Sequence, residues 1–440
     1  MGFAAPVEPA RATELLAAAV RGAAADHVEA ALLARAGEYT RFAVERVHQP
    51  QDITEQQVVV RAVVNGHAAR VATSALDRVP DAVRRATAIA RDLDHAAPGP
   101  GSAWTPENAT NDDHLLWHDD TAAFDASERV TIAAHAMAEA RRVGATAAGM
   151  VGRAVTQLAV AASTGALRHV VATEATGSLT VGDGDGSAHW ANLHRSRTEL
   201  GLTPATVADV VARAVRTRGR KPLPDGVYTV VLGPEATGEL LGFLGVLGFD
   251  GGLAEAGVGV ATGPGRRVAA EPVTVADDAS HPFGLPIPFD VSGTSKAVVP
   301  LLTAGLVGAA VDDRTGHAHV ARESLPAPVA ANVVMAPGPD DDLVAGVADG
   351  LYVERFWYTR LVDRRTSTIT GVSRDACFRI VDGEQTEPVR GARFTQSVFD
   401  LLSTVDGVGA ELRAQPIMNV WNGSVTAPAI RAHGFRFGPR

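Results

Sequence analysis

Two periods of hydrophobic and polar positions run through this chain, and each change of period marks an element. From residue 9 onwards alanine and leucine recur at helical spacing behind Pro9, which predicts a helix. At Asp26-His27-Val28 the pattern changes, and alternation predicts strands over 39–47 and 58–64. Asn65-Gly66 sits between two such runs and reads as a hairpin turn, because both residue types accept positive φ. Residues 78–93 return to helical spacing, with Pro80 near the first turn. The stretch 94–115 is rich in Pro, Gly, Asn and Asp and reads as a surface loop. Ser127 is the expected cap of a helix over 128–143, with Val130, Ala134 and Met137 on its apolar face and Gly144 at its end. Consecutive strands are expected over 149–192, with a turn at Asp183-Gly184-Asp185-Gly186. Thr203 and Pro204 then open a helix through about Arg216.

Residues 217–226 break the pattern with two prolines, two glycines and a charge cluster, which reads as a domain boundary. Beyond it the chain is mainly strand-like, with one helix expected over 235–248. The fold class expected is α+β. An N-terminal domain, 1–216, would hold an antiparallel sheet with helices, and a β-rich C-terminal domain, 217–440, would be a barrel or a sandwich. No repeat of 20–50 residues is present, which disfavours a solenoid or propeller.

Composition narrows the function classes. With 46% hydrophobic and 20% charged residues, the 440-residue chain has material for a core and is not a disordered one. A net charge of -10 and the lack of a long basic run argue against a nucleic-acid binder. The most apolar run, 240–249, is far shorter than the roughly 20 residues a bilayer requires. The N-terminus shows neither a signal-peptide pattern nor a good myristoylation match, since Pro6 stands where Ser or Thr is wanted. A cytoplasmic protein without a membrane partner is expected. The single cysteine, Cys377, excludes an internal disulfide and a multi-thiolate metal site. Lys221 and Lys296 are the only lysines; the excess of arginine reflects GC-rich codons, not a binding surface.

Candidate chemistry is sparse. His114 and His118 are four apart but lack the glutamate of a zincin helix. His317 and His319 would share one side of a strand, and a solvated strand entry is the simpler reading. His189 and His194 read as ordinary surface or interface histidines. No nucleophile elbow occurs, and Val291-Ser292-Gly293 lacks its first glycine. Cys377 reads as a small buried hydrophobe, with an Arg374-activated thiolate as the alternative. The glycine-rich stretches 182–186 and 257–265 lack the Glu of a calcium loop and the Lys of a phosphate loop, and read as connectors. Asp340-Asp341-Asp342 reads as the acidic first turn of a helix. Residue chemistry alone yields no self-sufficient active site.

Order and spacing of several motifs supply more. The segment Tyr39-Thr-Arg-Phe-Ala-Val-Glu-Arg-Val-His-Gln49, the strand pair and helix after it, Gly226-Val-Tyr-Thr-Val-Val-Leu-Gly-Pro-Glu235, Phe356-Trp-Tyr-Thr-Arg-Leu-Val-Asp363 and Thr370-Gly-Val-Ser-Arg-Asp375 together resemble the TldD/PmbA family, peptidase family U62, historically called modulators of DNA gyrase. The resemblance runs from about 10 to 435. It implies a heterodimer in which a TldD-type subunit carries an HExxxH helix and a C-terminal cysteine that hold a metal, expected to be zinc. The TldE/PmbA-type subunit lacks them. Here Gly242, Phe243 and Leu247 stand where the His, Glu and His would fall, and no cysteine lies in 406–440. None of these side chains can ligate a metal or move a proton.

The resemblance therefore implies a TldE-type subunit with no catalytic residue and no cofactor of its own. Its partner would be a TldD-like catalytic subunit carrying zinc, and its substrate a peptide or amide. The strands near 39–49 would wall a chamber, since an extended peptide can join a sheet edge. The alternatives are a subunit of an amide hydrolase pair that tailors a natural-product intermediate, and a non-enzymatic scaffold or modulator. Arg41, Tyr358, Arg360 and Arg374 lie in the family-like segments, and arginines there can hold a substrate carboxylate; structural salt bridging is the competing reading.

Overall fold

The computed structural model describes residues 4–93, 116–244, 249–251, 254, 257–258, 263–285, 287–311, 318–320, 326–416 and 423–438. The expected loop 94–115, His114, His317, Leu247 and part of 257–265 lie outside the described residues.

The first half builds one antiparallel sheet. Its strands are β1 (His27–Ala43), β2 (Arg46–Val64), β3 (His67–Thr73), β4 (Thr146–Ala162), β5 (Leu167–Gly182) and β6 (Ser187–His194), in the order β3-β2-β1-β4-β5-β6. The helices α1 (Pro9–Val20), α2 (Val79–Asp92), α4 (Ala126–Arg142) and α5 (Pro204–Arg216) share one face of it, and α3 (Asp119–Ala122) precedes α4. The side-chain period of two explains this division. Val28, Ala30 and Leu32 of β1 face α1 and α2, while Ala31 and Leu33 face the opposite side. That opposite side is covered by Leu116 and by Ile287, Phe289 and Val291 from the second half of the chain.

The second half forms a closed barrel and a second sheet. β7 (Gly226–Leu232), β14 (Asp349–Asp363), β15 (Thr368–Val381), β17 (Arg393–Ser397) and β21 (Ile430–Phe437) pair in the ring β14-β7-β21-β17-β15-β14. Closure removes the free edges of the ring; β16 (Glu384–Pro388) adds to β15 and β18 (Gly407–Val408) to β21, and β11 (Ala318–Val320) pairs with β12 (Pro326–Pro328). Phe356, Phe394, Phe435 and Phe437 are buried against one another, with neighbouring centroids 4.5–5.6 Å apart. The second, mixed sheet has β8 (Val275–Asp277), β9 (Val299–Thr303), β10 (Leu306–Val307), β13 (Asn332–Met335), β19 (Arg413–Pro416) and β20 (Ser424–Ala427), in the order β10-β9-β8-β13-β20-β19. Helix α6 (Pro234–Leu241) packs between β14 of the barrel and β19 and β20 of this sheet.

The α+β class stands, and the C-terminal architecture is a barrel beside a mixed sheet, not a sandwich. Several local readings need correction. The run 39–47 is not one strand: Val44 and Glu45 adopt positive φ of 50° and 64° and turn the chain from β1 into β2. Asp125, not Ser127, caps α4, its carboxylate accepting the Glu128 N–H at 2.9 Å. The buried face of α4 is Arg129, Ala133, Ala136, Met137 and Ala140, while Val130 is 43% exposed. In an alanine-rich helix the apolar contrast is weak. Arg129 is held inside by the Glu38 carboxylate at 3.0 Å and by the Phe124 carbonyl. Asp340–342 open no helix: Asp340 bridges to Gly409, and Asp342 accepts the Val344 and Ala345 N–H groups of a turn. Among the described residues no helix is long and apolar enough to cross a membrane.

The Asn65-Gly66 turn joins β2 to β3 with φ of 49° and 78°. A Cβ on Gly66 would meet no atom within 4 Å, so only the backbone resists a side chain there. Gly66→Ala should therefore destabilise by about 1 kcal/mol, read as a lower urea midpoint with an unchanged slope.

Candidate functional site

Helix α6 follows directly from β7 through Gly233, with Pro234 at its first position. Glu235 and Glu239 are four residues apart and so fall on one face. That face looks at β14 where its pairing slips, between Val353 and Arg355 and again between Trp357 and Arg360. A bulged strand re-aims its side chains. Tyr358 has a φ of 54° and is 68% exposed, and Trp357 is 44% exposed. The result is a cavity of about 330 Å³ lined by Glu235, Glu239, Arg355, Phe356, Trp357, Tyr358, Thr359, Arg360 and Gln415. Gly238 lets Gln415 of β19 lie against the helix, because a Cβ there would stand 2.8 Å from the Gln415 amide nitrogen.

Charged groups beneath the cavity tie the two halves together. Glu235 accepts the Ala191 N–H of β6 at 2.9 Å and lies 3.4 Å from His189 Nε2. Burial pushes its carboxyl up to about 7, against the pull of Arg413 and Arg355. His189 is buried as well, and burial with the nearby Arg355 charge holds its imidazole down to about 3. Glu354 of β14 accepts the N–H groups of His189 and Ala376 at 2.7 and 3.1 Å and pairs with Arg213 of α5. Arg355 is neutralised by Asp375 at 2.5 Å. Burial also raises the Glu239 carboxyl, outweighing Arg360 and Arg355.

Of the residues singled out in the sequence, the structure gathers three. Tyr358 and Arg360 line the cavity, with the Arg360 guanidinium 5.6 Å from the Tyr358 ring. Arg374 stacks on Trp357 at 4.7 Å and stands 4.0 Å from Asp375. Arg41 is elsewhere, across the β1–β2 hairpin, where it reaches Gln49 at 3.4 Å. Gly242 closes α6 by donating its N–H to Gly238 at 2.9 Å, and Phe243 packs on the C-terminal core. His189 and His194 are not surface residues. His189 bonds Thr180 at 2.7 Å, and His194 accepts the Ser196 N–H at 3.0 Å and meets Phe283 edge-on at 5.4 Å. Cys377 is buried, and burial pushes its thiol up to about 12, which removes the thiolate alternative.

Sequence reasoning missed Glu235, Glu239 and Gln415. Only the four-residue spacing of the glutamates on the expected helix could have signalled the first two. The family's metal does not fit these residues. Among the described residues no group of three or more His, Cys, Asp or Glu side chains could hold an ion. The segment after Glu239 is Leu, Leu, Gly, Phe, Leu, which offers no donor side chain.

Residues 225–439 match the model of the PmbA/TldA metallopeptidase C-terminal domain. A metalloprotease of Methanothermobacter thermautotrophicus is 28% identical over 218 residues, 46% of this chain. The match spans about half of that relative, 47% of its length. The crystal structure of TldE from Thermococcus kodakarensis superposes with a TM-score of 0.81 at 17% identity, covering 94% of this chain and 97% of that one. A structure from Thermotoga maritima MSB8, described as a candidate modulator of a DNA gyrase, gives 0.77 at 15% identity, with 94% and 96% covered. At such identities the structures speak for the fold alone. Residues 225–439 thus carry the C-terminal domain of the PmbA/TldD family, and the fold of TldE is shared along nearly the whole chain.

Proposed function

We propose that this chain is the TldE-type, non-metal subunit of a heterodimeric TldD/TldE-like metallopeptidase that hydrolyses peptide or amide bonds. The observation that carries the reading is the end of α6. Where the resemblance puts the metal helix, Gly242 terminates the helix and Phe243 packs into the core. In this reading 1–216 and 217–440 act as two domains, and the TldD-like partner supplies zinc, the general base and the metal-bound water. This chain orients substrate and excludes water from the shared chamber. Tyr358, Arg360 and Arg374 face the substrate around the bulge of β14, and Arg41 stands on the hairpin that walls the chamber.

Co-expression with a TldD-like subunit encoded beside it tests this directly. The expected result is a one-to-one complex with metal only in the partner, and peptide hydrolysis by the complex but by neither chain alone. Stoichiometric zinc in this chain by itself, or failure of the two to associate, would overturn it.

A further inference from the structure

The cavity over α6 has features that the loss of a metal site does not require. Thr359 is only 1% exposed, yet its hydroxyl has no hydrogen-bond partner, lying beside Glu239 without reaching good geometry. A buried hydroxyl left open in this way costs stability unless something fills the space. Among the described residues Glu239 has no ion-pair partner within 4 Å. Glu235, one turn earlier, is already committed to Ala191 and His189. The two lining arginines do not settle Glu239. Arg355 is taken by Asp375, and Arg360 donates to the Thr359 carbonyl at 2.8 Å and lies over Tyr358. The carboxylate, the hydroxyl and the Gln415 amide are three acceptors around one small space, walled by Trp357 and Tyr358.

We infer that this cavity binds a primary ammonium group, held by Glu239, Thr359 and the Gln415 side-chain oxygen against the aromatic wall. An ammonium carries three donors on a compact head, matching three acceptors; a guanidinium is planar and spreads five. The aromatic faces add cation–π attraction. With Arg355 paired to Asp375 and Glu235 within 4.0 Å of Arg413, Glu239 is the lining acid left to meet a cation. The inference goes beyond the subunit reading and does not depend on it, because every contact lies within this chain. The amine has two natural sources, a peptide's free N-terminus and a lysine side chain.

Isothermal titration of the isolated, full-length chain tests it at about pH 7 and again at about pH 8, the lower value keeping a peptide's α-amino group, of ordinary pKa about 7.7–8.0, mostly protonated. The probes are trialanine with free and acetylated N-terminus, and Nα-acetyl-lysine amide with free and acetylated side chain. At least one free amine should bind and its acetylated form should not; the one that binds names the source. Glu239→Gln should weaken that binding roughly tenfold or more. Should that variant misfold by circular dichroism, Thr359→Val and Gln415→Leu make the same test, each with a loss of about threefold or more. No binding below about 10 mM, equal binding of acetylated probes, or unchanged binding by the variants would each overturn the inference. Such a failure leaves the co-expression result standing, and failure to form a heterodimer leaves the amine site standing.

Discussion

Glu354→Ala should lower the unfolding free energy by about 3–5 kcal/mol, the range for removing one partner of a buried ion pair. Glu354 is 4% exposed, and its carboxylate receives the backbone N–H groups of His189 and Ala376 together with the Arg213 guanidinium. Alanine leaves two buried amides without an acceptor and a guanidinium without its main counter-charge. Arg213 keeps its bonds to Asp209 at 2.9 Å and to the His189 carbonyl at 3.2 Å, so the loss falls short of a fully isolated charge. Glu354→Gln keeps a carbonyl acceptor for the amides and should cost about half as much. Urea unfolding followed by circular dichroism measures both. A loss below about 1 kcal/mol for the alanine variant would show that the joint is solvated and that the network does little.

The second large effect is a pH dependence that appears only when Glu235 is removed. Glu235 has a raised carboxyl, from 4.5 to about 7, so its contribution to stability is present below 4.5 and is lost as pH rises through about 7. His189 has a lowered imidazole, from 6.5 to about 3, so its contribution is present above 6.5 and is lost as pH falls towards 3. Between 4.5 and 6.5 the folded pair and the unfolded pair each hold one proton, on the carboxyl when folded and on the imidazole when unfolded. The two trends cancel in that window. Glu235→Gln leaves His189 alone, and stability should then fall by roughly 1.4 kcal/mol per pH unit below 6.5, about 2 kcal/mol by pH 5. Urea midpoints of the two proteins at several pH values read this out. Parallel curves would mean that the pair does not share a proton.

Much of the fold was legible because local signals agreed with tertiary ones. Thr203-Pro204 opens α5 as read, with Thr203 Oγ1 accepting the Thr206 N–H at 3.2 Å, and Asn65-Gly66 makes its turn. Legibility failed where burial was decided by a distant partner. Arg129 is inside because Glu38 reaches it from 91 residues away, which no periodicity of α4 can show. His189 reads as a surface residue until β14 and α6 close over it. The motif around 356–363 located the cavity's aromatic wall, and Arg374 came with it. The carboxylates opposite were invisible, since Glu235 and Glu239 look like an ordinary exposed i, i+4 pair until the bulged strand faces them. Arg41 was singled out with them but lies apart, on the β1–β2 hairpin beside Gln49.

Strand β6 ends the first sheet, and unclaimed outward amides on such a strand would accept any passing strand. They are already claimed, that of His189 by Glu354 and that of Ala191 by Glu235, while the Asn192 side chain takes the Ala414 N–H at 3.0 Å. The sheet is thus terminated by acids and an amide where another backbone would otherwise add. Such an edge has a lock with a fixed spacing, the two claimed amides lying two positions apart on the strand, and it opens only when the second half of the chain withdraws. Continued growth of the sheet, the usual route from an open edge to aggregation, is closed off by the contacts that hold the halves together.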